Sequence, residues 1–290
     1  MTTTMDAVRS PSRARRSKGI GSDVGIGILL AILGFLTFVP VLMLIQLSLK
    51  SEQQMAEHMW LPTWPMSFHN YAKAWRIMLP YMKNSLFFVL GTVSVSLFFS
   101  ILSGYAFGRY DFPGKPGLFL GILGLMMIPG ILTLLTRFIM VINLKLNNTL
   151  WGIWLPMAAG SQAFQIIVLR TFFASLPEEL FEAGRLDGAN EFRMLVTIAM
   201  PLAKPILTTL FVLQCNSVWN EFIWPIMVLR DPDRYPAVLG ILRLRDIMYG
   251  GRDPGAEFAG YVIAGLPLLI LFSFSSRAFI RGMTSGAVKM

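Results

Sequence analysis

Long apolar segments alternate with short polar and basic ones along almost the whole chain. Each apolar segment reaches the roughly 20 residues that a helix needs to cross the hydrocarbon core of a bilayer. The third is interrupted by Pro129-Gly130, which predicts a kink at membrane depth. The pattern predicts an all-α integral membrane protein with about six spanning helices. We place these spans at residues 24–47, 85–107, 118–141, 150–173, 206–229 and 258–279.

The composition favours a membrane protein over a soluble one. Of the 290 residues, 54% are hydrophobic and 14% are charged, and the mean hydropathy is +0.60. A soluble domain carries about 25% charged residues. The single cysteine, Cys215, excludes an internal disulfide and a cysteine-based metal site, and its apolar surroundings indicate a packing residue. His58 and His69 have no companion acid or cysteine, so we predict no metal site.

The net charge of +9 comes from basic residues that flank the apolar segments, as in loops that face the anionic cytoplasmic leaflet. This distribution places both termini in the cytoplasm and disfavours nucleic acid as a partner. We predict a disordered basic tail over residues 1–22, a transmembrane domain over 23–282 and a cytoplasmic tail over 283–290. A signal peptide is disfavoured because the first apolar segment is too long and lacks a small-x-small cleavage site.

The longest cytoplasmic loop, residues 175–205, contains residues that typically begin and end a short helix. Ser175 and Glu178 have capping-box spacing, with Pro177 in the first turn. Gly188 can adopt the left-handed conformation that ends a helix, and a second helical stretch is predicted to end at Pro201. Because the polar face begins with acidic residues, docking into a protein groove is favoured over lying flat on lipid.

Glu221 is the most notable charge within a predicted span, with Asn216 and Asn220 nearby on one helical face. An intramembrane charge is expensive, so Glu221 is a candidate functional residue. Hydrogen bonding between helices is an equally good explanation.

Other polar and small residues of the spans have ordinary structural explanations. Snorkelling explains the basic residues near span ends, namely Arg137, Lys145 and Arg170. Two GxxxG pairs allow close helix packing, namely Gly104/Gly108 and Gly117/Gly121. The chain has neither a GxxxxGK[ST] phosphate-binding loop nor a nucleophile–base constellation, so we predict that it is not an enzyme.

The segment Glu182-Ala-Gly-Arg-Leu-Asp-Gly-Ala189, followed by Ile198-Ala-Met-Pro-Leu-Ala-Lys-Pro205, resembles the "EAA" signature of ABC-importer permeases. It departs from that signature at Gly184, where alanine is usual, and at Met200, where leucine is usual. Further segments resemble the carbohydrate-uptake branch of these permeases, and most of all its maltose-type members. They are Asn84-Ser85, Gly104-Tyr-Ala-Phe-Gly-Arg109, Phe112-Pro-Gly-Lys115, Asn148-Thr-Leu-Trp-Gly152, Trp219-Asn-Glu-Phe-Ile-Trp-Pro225 and Gly282-Met-Thr-Ser-Gly-Ala-Val-Lys289.

The resemblance implies a type I importer permease in a bacterial cytoplasmic (inner) membrane. Its partners would be a second homologous permease, two copies of an ABC ATPase, an extracytoplasmic solute-binding protein and membrane lipid. ATP and Mg would bind to the ATPase, with no cofactor on this chain. The substrate would be a sugar or related polyol.

The candidate site residues have three roles, of which the resemblance implies the first two and the intramembrane charge of Glu221 suggests the third. ATPase coupling falls to Glu178, Glu179, Glu182, Ala183, Gly184, Asp187, Gly188, Ala189 and Pro201. Contact between the C-terminal tail and the ATPase falls to Thr284, Ser285 and Gly286. The candidate substrate pathway comprises Asn216, Trp219, Asn220 and Glu221. A self-contained channel or secondary carrier is the alternative, and a membrane-embedded enzyme is a more distant one.

Overall fold

The computed structural model describes residues 20–250 and 253–287, with side chains described over 24–248 and 253–275. These residues form helices and connecting loops without a strand, which confirms the all-α prediction. The helices are α1 Ile20–Ser48, α2 Glu52–Glu57, α3 His69–Arg109, α4 Lys115–Met126, α5 Leu134–Asn143, α6 Leu150–Ala174, α7 Glu179–Leu186, α8 Glu191–Met194, α9 Met200–Asn220, α10 Ile223–Val228, α11 Ala237–Gly250 and α12 Pro254–Ala287.

Within the described ranges, five helices are long and apolar enough to cross a membrane. They are Val24–Ser48, His69–Arg109, Leu150–Ala174, Glu191–Asn220 and Pro254–Ser275. The predicted third span is instead a pair of shorter helices, α4 and α5, separated by non-helical residues 127–133. The break includes Pro129-Gly130, so the expected kink is a full interruption of the helix.

The predicted fifth span, 206–229, is wrong at its C-terminal end. Helix α9 ends at Asn220, and the separate short helix α10 follows. The Glu221 side chain accepts the backbone N–H groups of Ile223 (2.8 Å) and Trp224 (3.1 Å). Because this carboxylate satisfies the free donors at the start of α10, it ends one helix and begins another.

Helices α3 and α6 pack closely through glycines. A Cβ atom at Gly104 would lie 2.6 Å from the Leu169 Cβ, and one at Gly108 would lie 2.9 Å from the Phe173 Cβ. Real carbon atoms do not approach so closely, so this GxxxG pair has the packing role predicted for it. Gly117 and Gly121 have nothing within 4 Å of the corresponding position, so in the described chain they pack against nothing.

A seam of buried polar side chains joins α3, α6 and α9 near the middle of the bundle. The Ser96 and Ser100 hydroxyls each lie 2.8 Å from Gln165 Oε1, and Gln165 Nε2 donates to Gln214 Oε1 at 3.2 Å. Such bonds are satisfied within the protein, as a membrane interior requires. We call Ser96, Ser100, Ser161, Gln162, Gln165 and Gln214 the polar seam.

Candidate functional site

The loop between α6 and α9 begins differently from its prediction. Ser175 caps the C-terminus of α6, with its hydroxyl donating to the Phe172 carbonyl at 2.8 Å. Helix α7 starts at Glu179 with no side-chain cap, so the predicted capping box is wrong. The reason is that α6 extends through Ala174, which leaves Ser175 bonded back to its own helix.

The end of α7 matches its prediction. Gly188 has φ +75°, the left-handed conformation that glycine adopts without steric cost. The Ala189 N–H donates to the Gly184 carbonyl at 2.9 Å. Asn190 then caps α8 by accepting the Arg193 N–H at 2.8 Å.

The predicted helix end at Pro201 is wrong. The chain passes from α8 through a π-helical turn, Leu195–Ala199, directly into α9. Pro201 is therefore the second residue of α9 and lies within a continuous helical segment. The wider π turn immediately before it relieves the clash that proline causes within a regular α-helix.

One face of α7 packs onto the membrane bundle. Phe181 is fully buried and lies beside Tyr105, with ring centroids 6.3 Å apart. Gly184 is buried too, and a Cβ there would lie 3.0 Å from the Ile198 side chain. A glycine in place of the usual alanine thus lets α7 sit close to the π turn.

A cluster of charges fixes α7 to the end of α3. The Glu178 carboxylate pairs with Arg109 and, at 3.0 Å, with Arg185. Arg185 also lies 3.7 Å from Glu191, and the Arg109 guanidinium stacks 3.8 Å from the Phe181 ring centroid. The hydrogen bond from Arg185, followed by the charge of Arg109, holds the pKa of Glu178 below its ordinary value. Glu178 is therefore held within the chain as an anchor of α7.

The opposite face of α7 is open. Glu179, Glu182 and Asp187 form no ion pair with any residue that the structure describes. Leu186 is 89% exposed and Leu180 is 41% exposed. The spacing in the sequence predicts one apolar stripe of Leu176, Leu180, Ala183 and Gly184. This is wrong for Leu180 and Ala183, which are exposed, while Leu176 is partly buried and Phe181 and Gly184 take the buried positions of α7. We call Glu179, Leu180, Glu182, Ala183, Leu186 and Asp187 the exposed coupling face.

The candidate pathway residues lie at the end of α9 and differ in their surroundings. Trp219 is buried, and its indole N–H donates to the Ala264 carbonyl at 3.2 Å, which is a helix-packing contact. Asn220 and Asn216 are exposed and bonded to each other, with Asn220 Nδ2 lying 3.2 Å from Asn216 Oδ1. Glu221 is half-buried and faces a cavity.

That cavity has a volume of about 450 Å³ and opens where α4 and α5 are separated. It is bounded by the broken segment at Gly130 and Ile131 together with parts of α5, α6, α9 and α10. We call it the break cavity. Its polar and aromatic lining comprises Arg137, Ser161, Gln214, Ser217, Glu221 and Trp224.

Residues 100–285 match the family of binding-protein-dependent transport system inner membrane components. The chain is 34% identical over 255 residues to a probable ABC transporter permease, YurM, of Bacillus subtilis, covering 86% of this chain and 83% of that protein. It is 36% identical over 206 residues to the arabinooligosaccharides transport system permease AraQ of Halalkalibacterium halodurans, covering 71% of this chain and 72% of that protein. The chain belongs to this permease family.

The permease also shares its fold with a solved transporter. The crystal structure of a bacterial ABC transporter that imports the acidic polysaccharide alginate contains a chain matching it with TM-score 0.81. The match covers 91% of this chain and 98% of that chain at 24% identity. The type I permease fold is thus confirmed, as are the prediction of a transport subunit rather than an enzyme and its place as an inner membrane component.

The structure identifies one functional candidate that sequence reasoning placed differently. Arg137 was expected to snorkel at a span end, but in the permease it borders the break cavity and donates to the Gly130 carbonyl at 3.1 Å. Arg137 is half-buried next to the interruption of the third span, where it contacts the Gly130 carbonyl and the Trp224 ring. The Pro129-Gly130 pair was the signal in the sequence, because broken helices mark binding sites in many transporters.

The C-terminal residues that are predicted to contact the ATPase belong to the last helix. Helix α12 continues without interruption through Ala287, so Thr284, Ser285 and Gly286 lie in its last turns. Their side chains lie outside the described part of the permease, and their contact with an ATPase stays a prediction.

Proposed function

We propose that this permease carries half of the pathway of a binding-protein-dependent importer for a sugar or related polyol. Its exposed coupling face would dock on a separate ABC ATPase. The strongest support is that α7 has one buried face and one exposed face. Phe181 and Gly184 anchor the helix to the bundle, while acids without partners in the described chain and the exposed Leu186 point away from it. A rigid helix with such a face suits a protein groove.

The partners follow from this role. A second homologous permease would complete the pathway, two copies of the ATPase would hold ATP and Mg, and an extracytoplasmic solute-binding protein would deliver the substrate. No cofactor is assigned to this chain. Both termini would lie in the cytoplasm, with Thr284, Ser285 and Gly286 directed toward the ATPase.

A saccharide substrate is supported by two relatives. The permease of Halalkalibacterium halodurans is named for arabinooligosaccharide transport, and the solved transporter imports alginate. The motifs from Asn84-Ser85 to Gly282–Lys289 support a maltose-type member of the carbohydrate branch. At the C-terminal end of α9, Glu221 would line the pathway with Asn216 and Asn220, and Trp219 would hold α9 against α12.

The test is charge reversal on the exposed coupling face. We predict that Glu182→Lys abolishes ATP-driven uptake of the transported sugar, because a lysine would repel or misalign the ATPase groove. Uptake is measured in vesicles that contain both permeases, the ATPase and the binding protein. Membrane insertion of the variant should equal that of the unaltered permease, since Glu182 has no described partner to lose.

Asp111→Lys is the matched control. Asp111 is fully exposed near the same end of the bundle and forms only a surface ion pair with Lys115 at 3.0 Å, which contributes little stability. Its uptake should stay near the wild-type rate. Normal uptake and normal retention of the ATPase by Glu182→Lys would contradict the proposed function.

Co-purification separates this proposal from a self-contained channel or carrier. Expressed with its neighbouring genes, the permease should bring down the ATPase in stoichiometric amount. Transport by the purified chain alone, with no ATPase bound, would favour the channel or carrier.

A further inference from the structure

The break cavity contains two opposite charges that are not paired with each other. The nearest bonded partner of the Arg137 guanidinium is the neutral Gly130 carbonyl, and its Nε atom is buried with no hydrogen-bond partner in the described chain. On Glu221, Oε1 accepts the two backbone N–H groups that start α10, and Oε2 is unused by the described residues. The Arg137 guanidinium also lies 5.5 Å from the Trp224 ring centroid. Neither charge is neutralised by an opposite charge among the described residues, and charged residues within a predicted span are functional candidates by default.

The backbone beside these charges is irregular. Residues 127–133 are non-helical between α4 and α5, and the Gly130 carbonyl accepts from both Arg137 and Thr133. Non-helical backbone at membrane depth is tolerated where it is buried in protein or lines a water-filled cavity. The broken segment, the cavity and two charges without an ionic partner in the described chain therefore occur together at one place in the bundle.

The size and chemistry of the cavity limit what it can bind. Its volume of about 450 Å³ lies within the about 300–1,000 Å³ of small-molecule sites. Arginine supplies donors alone and an ionised carboxylate supplies acceptors alone. A ring with neighbouring hydroxyls satisfies both, since each hydroxyl donates and accepts, whereas a ligand carboxylate could bind Arg137 but has no donor for Glu221.

The polar seam reaches the same cavity. Gln214 and Ser161 line the break cavity and also bond into the seam, through Gln165 at 3.2 Å and Ser96 at 2.7 Å respectively. Their side chains are thereby held in place by α3 and α6. The cavity thus has one fixed amide group and one fixed hydroxyl group beside its two charged side chains.

We infer that Arg137 and Glu221 form, across the break cavity, a subsite for the hydroxyl groups of an uncharged saccharide during its passage. Arg137 donates to one hydroxyl and the free oxygen of Glu221 accepts from another, with Gln214 and Ser161 as neutral partners. This inference rests on the proposed function, since it assigns the substrate class to a permease of that type.

The experiment uses the complete importer in proteoliposomes, with its binding protein, and measures sugar molecules transported per ATP hydrolysed. The probes are arabinotriose and maltotriose, which are uncharged, and an alginate trisaccharide, which is anionic. Arg137→Gln and Glu221→Gln should each lower the ratio for the uncharged sugar about tenfold, the loss expected for a hydrogen bond to a charged group. ATP hydrolysis stimulated by the binding protein should be unchanged.

Thr133→Val is the matched control for a purely structural role. Thr133 also bonds the Gly130 carbonyl, at 2.9 Å, so a variant that loosens the broken segment without altering the cavity charges should keep the wild-type ratio. Equal losses in Thr133→Val and Arg137→Gln, or wild-type ratios in both charge variants, would overturn the inference. So would a preference of the unaltered importer for the alginate trisaccharide.

The two proposals fail in different ways. If the unaltered importer moves no sugar or polyol in an ATP-dependent manner, the proposed function fails before any variant is compared. If it moves an uncharged probe and the variants do so equally well, the subsite alone is wrong.

Discussion

At the scale of single residues, partners decide the role of each charge. Glu178 and Glu182 are both acidic residues of the coupling loop, yet Glu178 is bound to Arg109 and Arg185 while Glu182 is unpaired within the described chain. The sequence indicated that both could meet an ATPase. Only the second is available to do so, because the first is already engaged in holding α7 against the bundle.

Arg109 is the residue on which that attachment depends most. Its side chain is 9% exposed, it pairs with Glu178, and it stacks on Phe181. A partly desolvated cation–π pair contributes about 1–2 kcal/mol. We predict that Arg109→Ala lowers the free energy of local opening of α7 by that amount, measured as faster amide hydrogen exchange over residues 179–186.

The controls for Arg109 separate charge from geometry. Arg109→Lys should recover part of the protection, since lysine keeps the ion pair but cannot reproduce the planar stacking of a guanidinium. Lys115→Ala removes an ion pair with the exposed Asp111 and a hydrogen bond to the Tyr110 carbonyl at 2.7 Å, neither of which involves α7. It should leave exchange in α7 unchanged. Unaltered exchange in Arg109→Ala would show that Phe181 packing alone holds the helix.

At the scale of elements, the sequence predicts a helix boundary correctly where the backbone conformation of one residue requires it. The prediction fails where the boundary depends on how two neighbouring helical segments connect. Gly188 ends α7 as expected because its φ of +75° suits glycine. Pro201 was expected to end a helix and instead lies inside one, because the π turn before it changes the register. Ser175 was assigned to α7 but bonds to α6, since the sequence does not say which of two adjacent helix ends takes a shared hydroxyl.

The contact between α3 and α6 supplies a prediction at this scale. Gly104→Ala would force a Cβ to within 2.6 Å of the Leu169 Cβ, so the two helices must separate. Overpacking of this kind costs about 1–3 kcal/mol. We expect a lower midpoint of thermal unfolding in detergent for Gly104→Ala.

Gly121→Ala is the comparison, because nothing in the described chain lies within 4 Å of that position. Alanine favours helix over glycine by up to about 1 kcal/mol, so its midpoint should be unchanged or slightly raised. If Gly121→Ala lowered the unfolding midpoint as much as Gly104→Ala, the effect would be general to glycine replacement and not specific to the α3–α6 contact.

At the scale of the whole molecule, the long helix α3 connects the segment that contains α2 to the end of the bundle where the coupling loop lies. Helix α3 has 41 residues and so spans about 60 Å at 1.5 Å per residue. The segment with α2 lies before its N-terminus, and Asp111 and the coupling loop lie at its C-terminus. The break cavity lies between these ends, since its lining residue Ser161 bonds to Ser96 within α3.

This arrangement predicts which side of the membrane each end faces. A cysteine at Glu57 should react with a membrane-impermeant thiol reagent from outside intact cells, and one at Asp111 should react only after the membrane is opened. Both positions are exposed. The native Cys215 is 3% exposed and should stay unlabelled in each variant. The opposite pattern of labelling would reverse the proposed orientation of the termini.

The membrane class, most of the crossing helices and the position of the coupling loop can be read from the amino-acid sequence. This is possible because apolar length, glycine at a left-handed position and a motif of fixed spacing are local properties of the chain. The exposed face of α7 and the cavity shared by Arg137 and Glu221 become visible in the folded protein alone. Those facts depend on contacts between residues far apart in the chain, such as Arg109 with Glu178 and Gln165 with Gln214. Local patterns do not record such contacts, because a side chain's partner is set by how whole helices pack.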